Sequence, residues 1–171
     1  MSNVSGIVKS IRDIMRKDKG TYGDVQRLEQ LGWMFFLKIF DDREQEMELL
    51  NDNYQSPIPK DLKWSNWAID EEGITGEELL NFVDNELLPS FKKLSNSSKP
   101  IVSLIKRAFE DANNYMKNGT LLRQVINKVN EIKTARPTAV NLSWAADRAV
   151  SYTHLRAHET RHDLVCRLLL E

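Results

Sequence analysis

An apolar, aromatic-rich stretch between Asp24 and Leu50 constrains the fold of this chain more than any other feature. Its apolar side chains recur every three or four residues, the spacing of an α-helix. The stripe consists of Val25, Leu28, Leu31, Phe35 and Ile39, and it is widened by Trp33, Met34, Phe36, Leu37 and Phe40. Because so wide an apolar surface is unfavourable in water, we predict a long helix that is buried around most of its middle. Its charged end, from Asp41 to Glu48, is predicted to extend into solvent.

Shorter apolar stripes with the same spacing occur on both sides of this helix. They span residues 4–15, 79–94, 101–109 and 121–132. No stretch alternates between apolar and polar residues with the period of a strand. We therefore predict an all-α fold, an irregular bundle of about five to six helices. The aromatic residues of the long helix are interpreted as the core of this bundle, with a ligand pocket as the alternative.

Residues with known preferences for helix ends predict where several of these helices begin and end. Gly20 is predicted to be the C′ residue of the first helix, and Asp24 the N-cap of the second. The sequence from Thr75 to Glu78 is typical of a capping box. Pro89 is predicted to kink or split the helix that follows, because proline lacks the backbone N–H that the helix requires.

A long loop is predicted at residues 51–73, where Pro57 and Pro59 exclude a regular helix. Trp64 and Trp67 are predicted to anchor this loop by packing on the bundle. The alternative is that the two indole rings are exposed and stack on nucleic-acid bases.

The composition of residues 1–132 excludes several classes of enzyme. All three histidines and the single cysteine lie further along the chain, so this part has no His- or Cys-based catalysis and none of the usual zinc ligand sets. We predict no catalytic, cofactor-binding or metal-binding residue in it. The chain has no secretory leader and no apolar run of about 20 residues that could span a bilayer, so we expect a cytoplasmic protein without membrane contact.

With a net charge of only −1 for the whole chain, contact with nucleic acid requires a local basic patch. The candidates for DNA contact are Arg16, Lys17, Lys19, Tyr22, Arg27, Lys106, Arg107 and Arg123, with Lys117 nearby in sequence. Such side chains neutralise phosphates without reading bases. The alternative interpretation is that they are solvated helix ends. The acidic run from Asp41 to Glu44 is interpreted as a solvated helix face rather than as a pair of catalytic carboxylates.

Four segments resemble the start of the modification (M) subunit of type I restriction-modification systems. They are GTYGDVQRLEQLGWMFFLKIFDDRE, YQSPIPKDLKWSNWA, ITGEELLNFVDNELLP and FEDANNYMKNGTLLRQVINKVNEI, and they occur in the order found in that family. The resemblance implies that residues 1–132 are the amino-terminal helical domain of such a subunit.

For the full-length subunit, the resemblance implies transfer of a methyl group from S-adenosylmethionine to N6 of adenine in DNA, after the base has been flipped out. It implies a specificity (S) subunit, a second M subunit and in some assemblies a restriction (R) subunit as partners. The helical domain is expected to help close the complex around DNA and to contact other subunits. The alternative is a helical protein-interaction module without DNA contact of its own.

The sequence departs from the family after Ile132. No Asn/Asp-Pro-Pro-aromatic motif and no glycine-rich turn for S-adenosylmethionine follows, so we predict that this chain alone does not methylate DNA.

The last residues contain a misleading motif. His158-Glu159-Thr160-Arg161-His162 has the HExxH spacing of zinc proteases, and a zinc hydrolase would be expected to bind the metal through it. However, Ser151 to Thr160 and Asp163 to Leu170 resemble two translated parts of a sequencing adapter, in the correct order. We therefore predict that residues 133–171 are not a domain of the protein and that they hold no metal site.

Overall fold

The computed structural model describes residues 4–94 and 100–132, and this part of the chain is all-α. The helices are α1 (Val4–Met15), α2 (Asp24–Leu50), α3 (Trp64–Trp67), α4 (Gly76–Asn81), α5 (Leu88–Lys92), α6 (Pro100–Phe109) and α7 (Gly119–Glu131). A π-helical segment, Phe82–Leu87, joins α4 to α5, so these two form one continuous helix, and the described part of the chain has six helices. The predicted irregular all-α bundle is confirmed.

The widened π turn comes just before Pro89, which lies in the first turn of α5. Proline has no N–H to donate to the preceding turn, and π segments are a known way to absorb such an interruption. The predicted break in this helix is therefore present, as a local widening of the helix.

The core lies where α1 packs lengthwise on α7. Ile7, Ile11 and Met15 of α1 are buried as the apolar stripe predicts. The facing side of α7 is also buried, and it consists of Leu122, Val125, Ile126 and Val129. The α4–α5 helix and α6 extend this core through Phe91 and Phe109, whose rings stack with centroids 4.3 Å apart.

The inward face of α2 differs from the prediction. Val25 and Leu28, which were expected to be buried, are 54% and 37% exposed. The buried face consists instead of Gln30, Trp33, Met34, Leu37, Lys38, Asp41 and Glu44. A helix with apolar residues on nearly every side has no single dominant stripe, so its orientation is decided by the partners of its polar residues.

One side of the charged end of α2 is covered, because residues 51–73 fold back against it, while Arg43, Glu46 and Glu48 are exposed. Glu44 is 1% exposed, and its carboxylate accepts hydrogen bonds from Tyr54 Oη at 2.8 Å and from Ser56 Oγ at 2.7 Å. Asp41, also 1% exposed, accepts from the backbone N–H of Ser65 at 3.2 Å and from its Oγ at 3.1 Å. The prediction of a solvated face is therefore wrong for Asp41 and Glu44, although Arg43 between them is exposed. These carboxylates hold the long loop.

Both tryptophans of the loop are buried, which confirms the predicted packing. Trp64 is fully buried and its indole Nε1 donates to Asn130 Oδ1 of α7 at 2.8 Å. Trp67 lies edge-on to Trp64, with ring centroids 5.1 Å apart. Neither ring is available for stacking on a nucleic-acid base. The loop also contains a 3₁₀ turn, Lys60–Leu62, next to the short helix α3.

Two glycines allow the start of α4 to touch the start of α7. Gly76 has φ +62, and a Cβ on Gly119 would lie 1.8 Å from the carbonyl oxygen of Gly76. Thr75 is the N-cap of α4, as predicted, but its side chain makes no capping hydrogen bond. The predicted capping box is therefore wrong, because the chain enters this helix through a left-handed residue instead.

The α1–α2 loop is fastened to the start of α7 by a buried carboxylate. Asp18, 5% exposed, accepts hydrogen bonds from the backbone N–H of Gly20 at 2.7 Å, of Lys117 at 3.0 Å and of Asn118 at 2.8 Å. Gly20 is a glycine because the backbone of Tyr115 lies against it, and it does not have the left-handed φ of a C′ residue that was predicted.

We predict opposite effects on stability for two glycine-to-alanine variants. A Cβ on Gly20 would lie 1.8 Å from the carbonyl oxygen of Tyr115, so Gly20→Ala should lower the free energy of unfolding by about 2 kcal/mol. A Cβ on Gly32, within α2, meets no atom within 4 Å, so Gly32→Ala should raise it by about 1 kcal/mol. Urea unfolding followed by circular dichroism at 222 nm measures both. A Gly20→Ala variant with the same unfolding free energy as the wild type would contradict the close approach of Gly20 to Tyr115.

A second prediction concerns alkaline pH. Burial, the hydrogen bond to Glu44 and the charges of Glu44 and Glu48 raise the pKa of Tyr54 from 10.0 to about 12. Because the folded protein holds this proton more tightly, the stability that Tyr54 contributes is fully present below pH 10 and is lost as the pH rises through 12. The difference in unfolding free energy between the wild type and Tyr54→Phe should therefore shrink over this range.

The control for this experiment is Tyr22→Phe, because Tyr22 is 80% exposed. The difference in unfolding free energy between the wild type and Tyr22→Phe should stay the same from pH 9 to about pH 12. A Tyr54→Phe difference that is equally flat would show that the phenol of Tyr54 is not held by Glu44.

Candidate nucleic-acid interface

The α1–α2 loop presents four of the predicted DNA contacts on its outer side. The side chains of Arg16, Lys17 and Lys19 are exposed, and Tyr22 is 80% exposed. The backbone beneath them is fixed, because Asp18 is bonded to the start of α7 and Thr21 Oγ1 donates to the carbonyl oxygen of Met15 at 2.5 Å. A fixed loop backbone with outward cations is a suitable arrangement for contacting phosphates, since little backbone order has to be created on binding.

Arg27 lies beside this loop but points inward. Its guanidinium donates to Asp24 Oδ1 at 2.7 Å, and to the backbone carbonyl oxygens of Thr21 at 3.0 Å and Tyr22 at 3.2 Å. The exposed fraction of its side chain is only 14%. Arg27 therefore shapes the loop rather than presenting a charge on the surface.

Arg123 is buried and cannot reach a phosphate. It is 5% exposed, and its guanidinium donates to the backbone carbonyl oxygens of Ile74 at 2.6 Å and Trp67 at 3.1 Å, with longer bonds to Ala68 and Asp70. Burial lowers the pKa of Arg123, while the charge of Asp70 raises it. The prediction of Arg123 as a DNA contact is wrong, because its charge binds the loop that precedes α4.

Lys106 and Arg107 lie in the last turn of α6, away from the α1–α2 loop in sequence. Arg107 is exposed and Lys106 is half-buried. Their helix packs on α5 and α2 through Phe109, which contacts Phe91 and Phe36.

The structure adds two lysines that the sequence analysis did not select. Lys92 and Lys93, at the end of α5, line a groove together with Lys117. Two adjacent lysines at a helix end are common on protein surfaces, and nothing in the sequence indicates that Lys117 lies across from them.

The described residues offer no centre for metal chemistry. Among residues 4–94 and 100–132, no group of three or more His, Cys, Asp or Glu side chains is arranged to hold a metal ion. The HExxH motif and the adapter-like segments lie outside the described residues. No helix within the described part is long and apolar enough to cross a membrane.

Residues 5–129 match the model of the family described as HsdM N-terminal domain. The chain belongs to the HsdM N-terminal domain family. It is thus the N-terminal helical part of a type I modification subunit, and the resemblance carried by the four sequence segments is confirmed.

Relatives of the HsdM domain extend well beyond it. The chain is 56% identical over 132 residues to the methylase subunit of the type I restriction enzyme EcoEI from Escherichia coli, covering 76% of this chain and 27% of that subunit. It is similar to a solved modification subunit ascribed to a type I restriction enzyme of Vibrio vulnificus YJ016, with a TM-score of 0.73, 33% identity, and coverage of 94% of this chain and 36% of that one.

A second solved structure concerns complex assembly and conformational transition of the type I R-M system. It has a TM-score of 0.69 and 26% identity, and the match covers 88% of this chain and 30% of that one. This HsdM domain chain therefore spans between 27% and 36% of the length of these three relatives.

S-adenosylmethionine does not fit the described part of the HsdM domain. Rossmann-like folds bind such cofactors at a glycine-rich turn between a strand and a helix. Residues 4–94 and 100–132 contain no strand and therefore no turn of this kind.

We predict that Arg123 stabilises the HsdM domain without contributing to DNA affinity. Arg123→Gln leaves buried carbonyl oxygens without a donor and should lower the free energy of unfolding by about 3 kcal/mol. Arg123→Lys should not restore this stability, because the single ammonium group of lysine cannot reach all the carbonyl oxygens that the planar guanidinium reaches. Lys128→Gln is the control, because its ion pair with Glu131 on the same helix is largely exposed, and it should cost less than about 0.5 kcal/mol. Urea unfolding measures all three, and a stable Arg123→Gln variant would refute the structural role.

Proposed function

We propose that residues 1–132 form the helical domain with which a type I modification subunit closes around DNA and contacts neighbouring subunits. The observation that carries this proposal is the α1–α2 loop, where Arg16, Lys17 and Lys19 are exposed on a backbone that the buried Asp18 holds in place. Cations on such a loop neutralise phosphates whatever the base sequence. Reading of the bases is assigned to the specificity subunit.

The rest of the proposal concerns the whole subunit. In the full-length subunit, a catalytic part that this chain does not contain would bind S-adenosylmethionine and methylate N6 of adenine in DNA, in the cytoplasm. The partners would be the specificity subunit, a second modification subunit and in some assemblies a restriction subunit. In support, one of the solved structures to which the chain is similar is described as showing the basis of complex assembly of the type I R-M system. Residues 133–171 would form no domain of that assembly.

A second function, subunit docking without DNA contact, is favoured by one apolar surface. Val25 and Leu28 lie three residues apart on α2 and so share a side, and they are 54% and 37% exposed. Tyr22, 80% exposed, precedes them. Apolar side chains exposed together are typical of a surface that binds another protein.

The decisive experiment reverses the charges of the loop in a complete modification complex that carries residues 1–132 as its N-terminal domain. Arg16→Glu, Lys17→Glu and Lys19→Glu together should weaken DNA binding. Each lost phosphate contact should also reduce the slope of log affinity against log salt by about 0.9. Fluorescence anisotropy with a labelled duplex at several salt concentrations gives both quantities.

The control reverses three cations elsewhere, Arg43, Lys60 and Lys128, which gives the same change in net charge. Unchanged affinity and an unchanged salt slope in the loop variant would reject the DNA-closing role. Val25→Asp with Leu28→Asp tests the alternative, which predicts loss of subunit assembly in size-exclusion chromatography while the DNA affinity of any assembled complex is retained.

A further inference from the structure

A groove between the α4–α5 helix and the segment before α7 brings together side chains that are far apart in sequence. Its volume is about 330 Å³. Its polar lining consists of Asp84, Lys92, Lys93, Asn113, Asn114 and Lys117. Among the described residues, the polar lining thus contains three lysines, two asparagines and one aspartate.

The floor of this groove is rigid. Asn114 is 8% exposed, and its Oδ1 accepts from Gln30 Nε2 at 2.9 Å while its Nδ2 donates to the carbonyl oxygen of Met116 at 3.3 Å. The backbone N–H of Tyr115 donates to Gln30 Oε1 at 2.7 Å. Because α2 holds this segment at consecutive residues, the groove is preformed.

The groove adjoins the α1–α2 loop. The backbone N–H of Lys117 donates to Asp18, and a Cβ on Gly20 would lie 2.9 Å from Cγ of Lys117. The lysine side chain that lines the groove therefore begins where the loop touches the rest of the domain. Lys117 therefore connects the groove to the loop that carries Lys17 and Lys19.

The lysines of the groove are not neutralised by the domain itself. Within residues 4–94 and 100–132, no carboxylate forms an ion pair with Lys93 or Lys117. Lys92 Nζ lies 3.4 Å from Asn113 Oδ1, which is a neutral partner. By contrast, Lys38 and Lys63 each form an ion pair within the domain.

We propose that this groove binds backbone phosphates of the same DNA that passes the α1–α2 loop, with Lys92, Lys93 and Lys117 as the contacts. The proposal rests on the proposed function and extends it to a second segment of the chain. Long ammonium side chains around an open, preformed groove neutralise a polyanion without selecting a base. Because Lys117 contacts the loop, a DNA strand that passes the loop also reaches the groove, whereas a free phosphate ion would need only one of the two.

The test uses the complete modification complex with Lys93→Glu and Lys117→Glu, because both side chains are exposed and their loss should not affect folding. DNA affinity at 0.1 M salt should fall about tenfold for each lysine, and the salt slope should be reduced by about 0.9 for each. Anisotropy with a labelled duplex measures both. The matched control is Arg43→Glu with Lys60→Glu, which changes the net charge equally at the other end of α2 and should leave affinity within about twofold.

A variant that is expected to bind DNA more tightly provides a second test of the groove. Asp84 is exposed and is the carboxylate of the groove. Asp84→Asn removes a negative charge beside the proposed phosphates and should raise DNA affinity about threefold, as expected for one charge near a protein surface. A merely structural role for the groove does not produce such a gain.

The outcomes separate this proposal from the proposed function. If charge reversal in the loop weakens DNA binding but the groove variant and Asp84→Asn do not change it, the groove proposal is overturned and the loop remains the contact. If neither surface affects DNA affinity, both proposals fail.

Loss of subunit assembly at unchanged DNA affinity would assign the groove to an acidic protein surface. A competition experiment with inorganic phosphate tests the occupant. If phosphate displaces DNA no better than chloride at equal ionic strength, a DNA strand is supported as the occupant. If phosphate displaces DNA specifically, the groove is a free-phosphate site and the proposal is overturned.

Discussion

The carboxylate of Asp18 is the interaction on which the arrangement of the whole domain depends. A buried charge is costly unless it is fully hydrogen-bonded, and Asp18 is bonded to the backbone N–H groups of Gly20, Lys117 and Asn118. Asn118 in turn caps α7, because its side-chain oxygen accepts from the N–H of Leu121. One carboxylate thus fixes the α1–α2 loop against the start of α7, where the helix dipole also favours a negative charge. This attachment holds the end of α1 near the start of α7, where the apolar faces of the two helices pack on each other.

The orientation of α2 shows what periodicity could and could not predict. The spacing of its apolar residues correctly predicted a long helix with a buried middle. It did not predict which side faces inward, because the aromatic residues occur on nearly every side. The inward side is chosen by polar groups such as Gln30, Asp41 and Glu44, whose partners lie in segments far along the chain. A single sequence does not reveal such pairings, so it places these residues in solvent by default.

The same limitation explains the mixed success at the candidate interface. Arg16, Lys17 and Lys19 were predicted as contacts because they form a basic cluster in the sequence, and the structure leaves them exposed. Arg123 was predicted on the same grounds, yet that guanidinium is buried against backbone carbonyls. Charge and helix position do not distinguish an arginine that binds the backbone from one that faces solvent. Lys93 was missed for the converse reason, since its groove exists only once α5 has packed against the segment before α7.

The basic surface and the buried carboxylate beneath it belong to one electrostatic arrangement. Lys17 and Lys19 flank Asp18 in sequence, and the backbone N–H of Lys117 donates to its carboxylate, so three cationic residues meet at this point. Like charges brought together repel one another. Asp18 lies between these segments, and its buried negative charge offsets part of that repulsion without being accessible to a ligand. An anion bound on the outer side would relieve the remainder. The residue that stabilises the fold therefore also permits the concentration of positive charge that the proposed DNA contact requires.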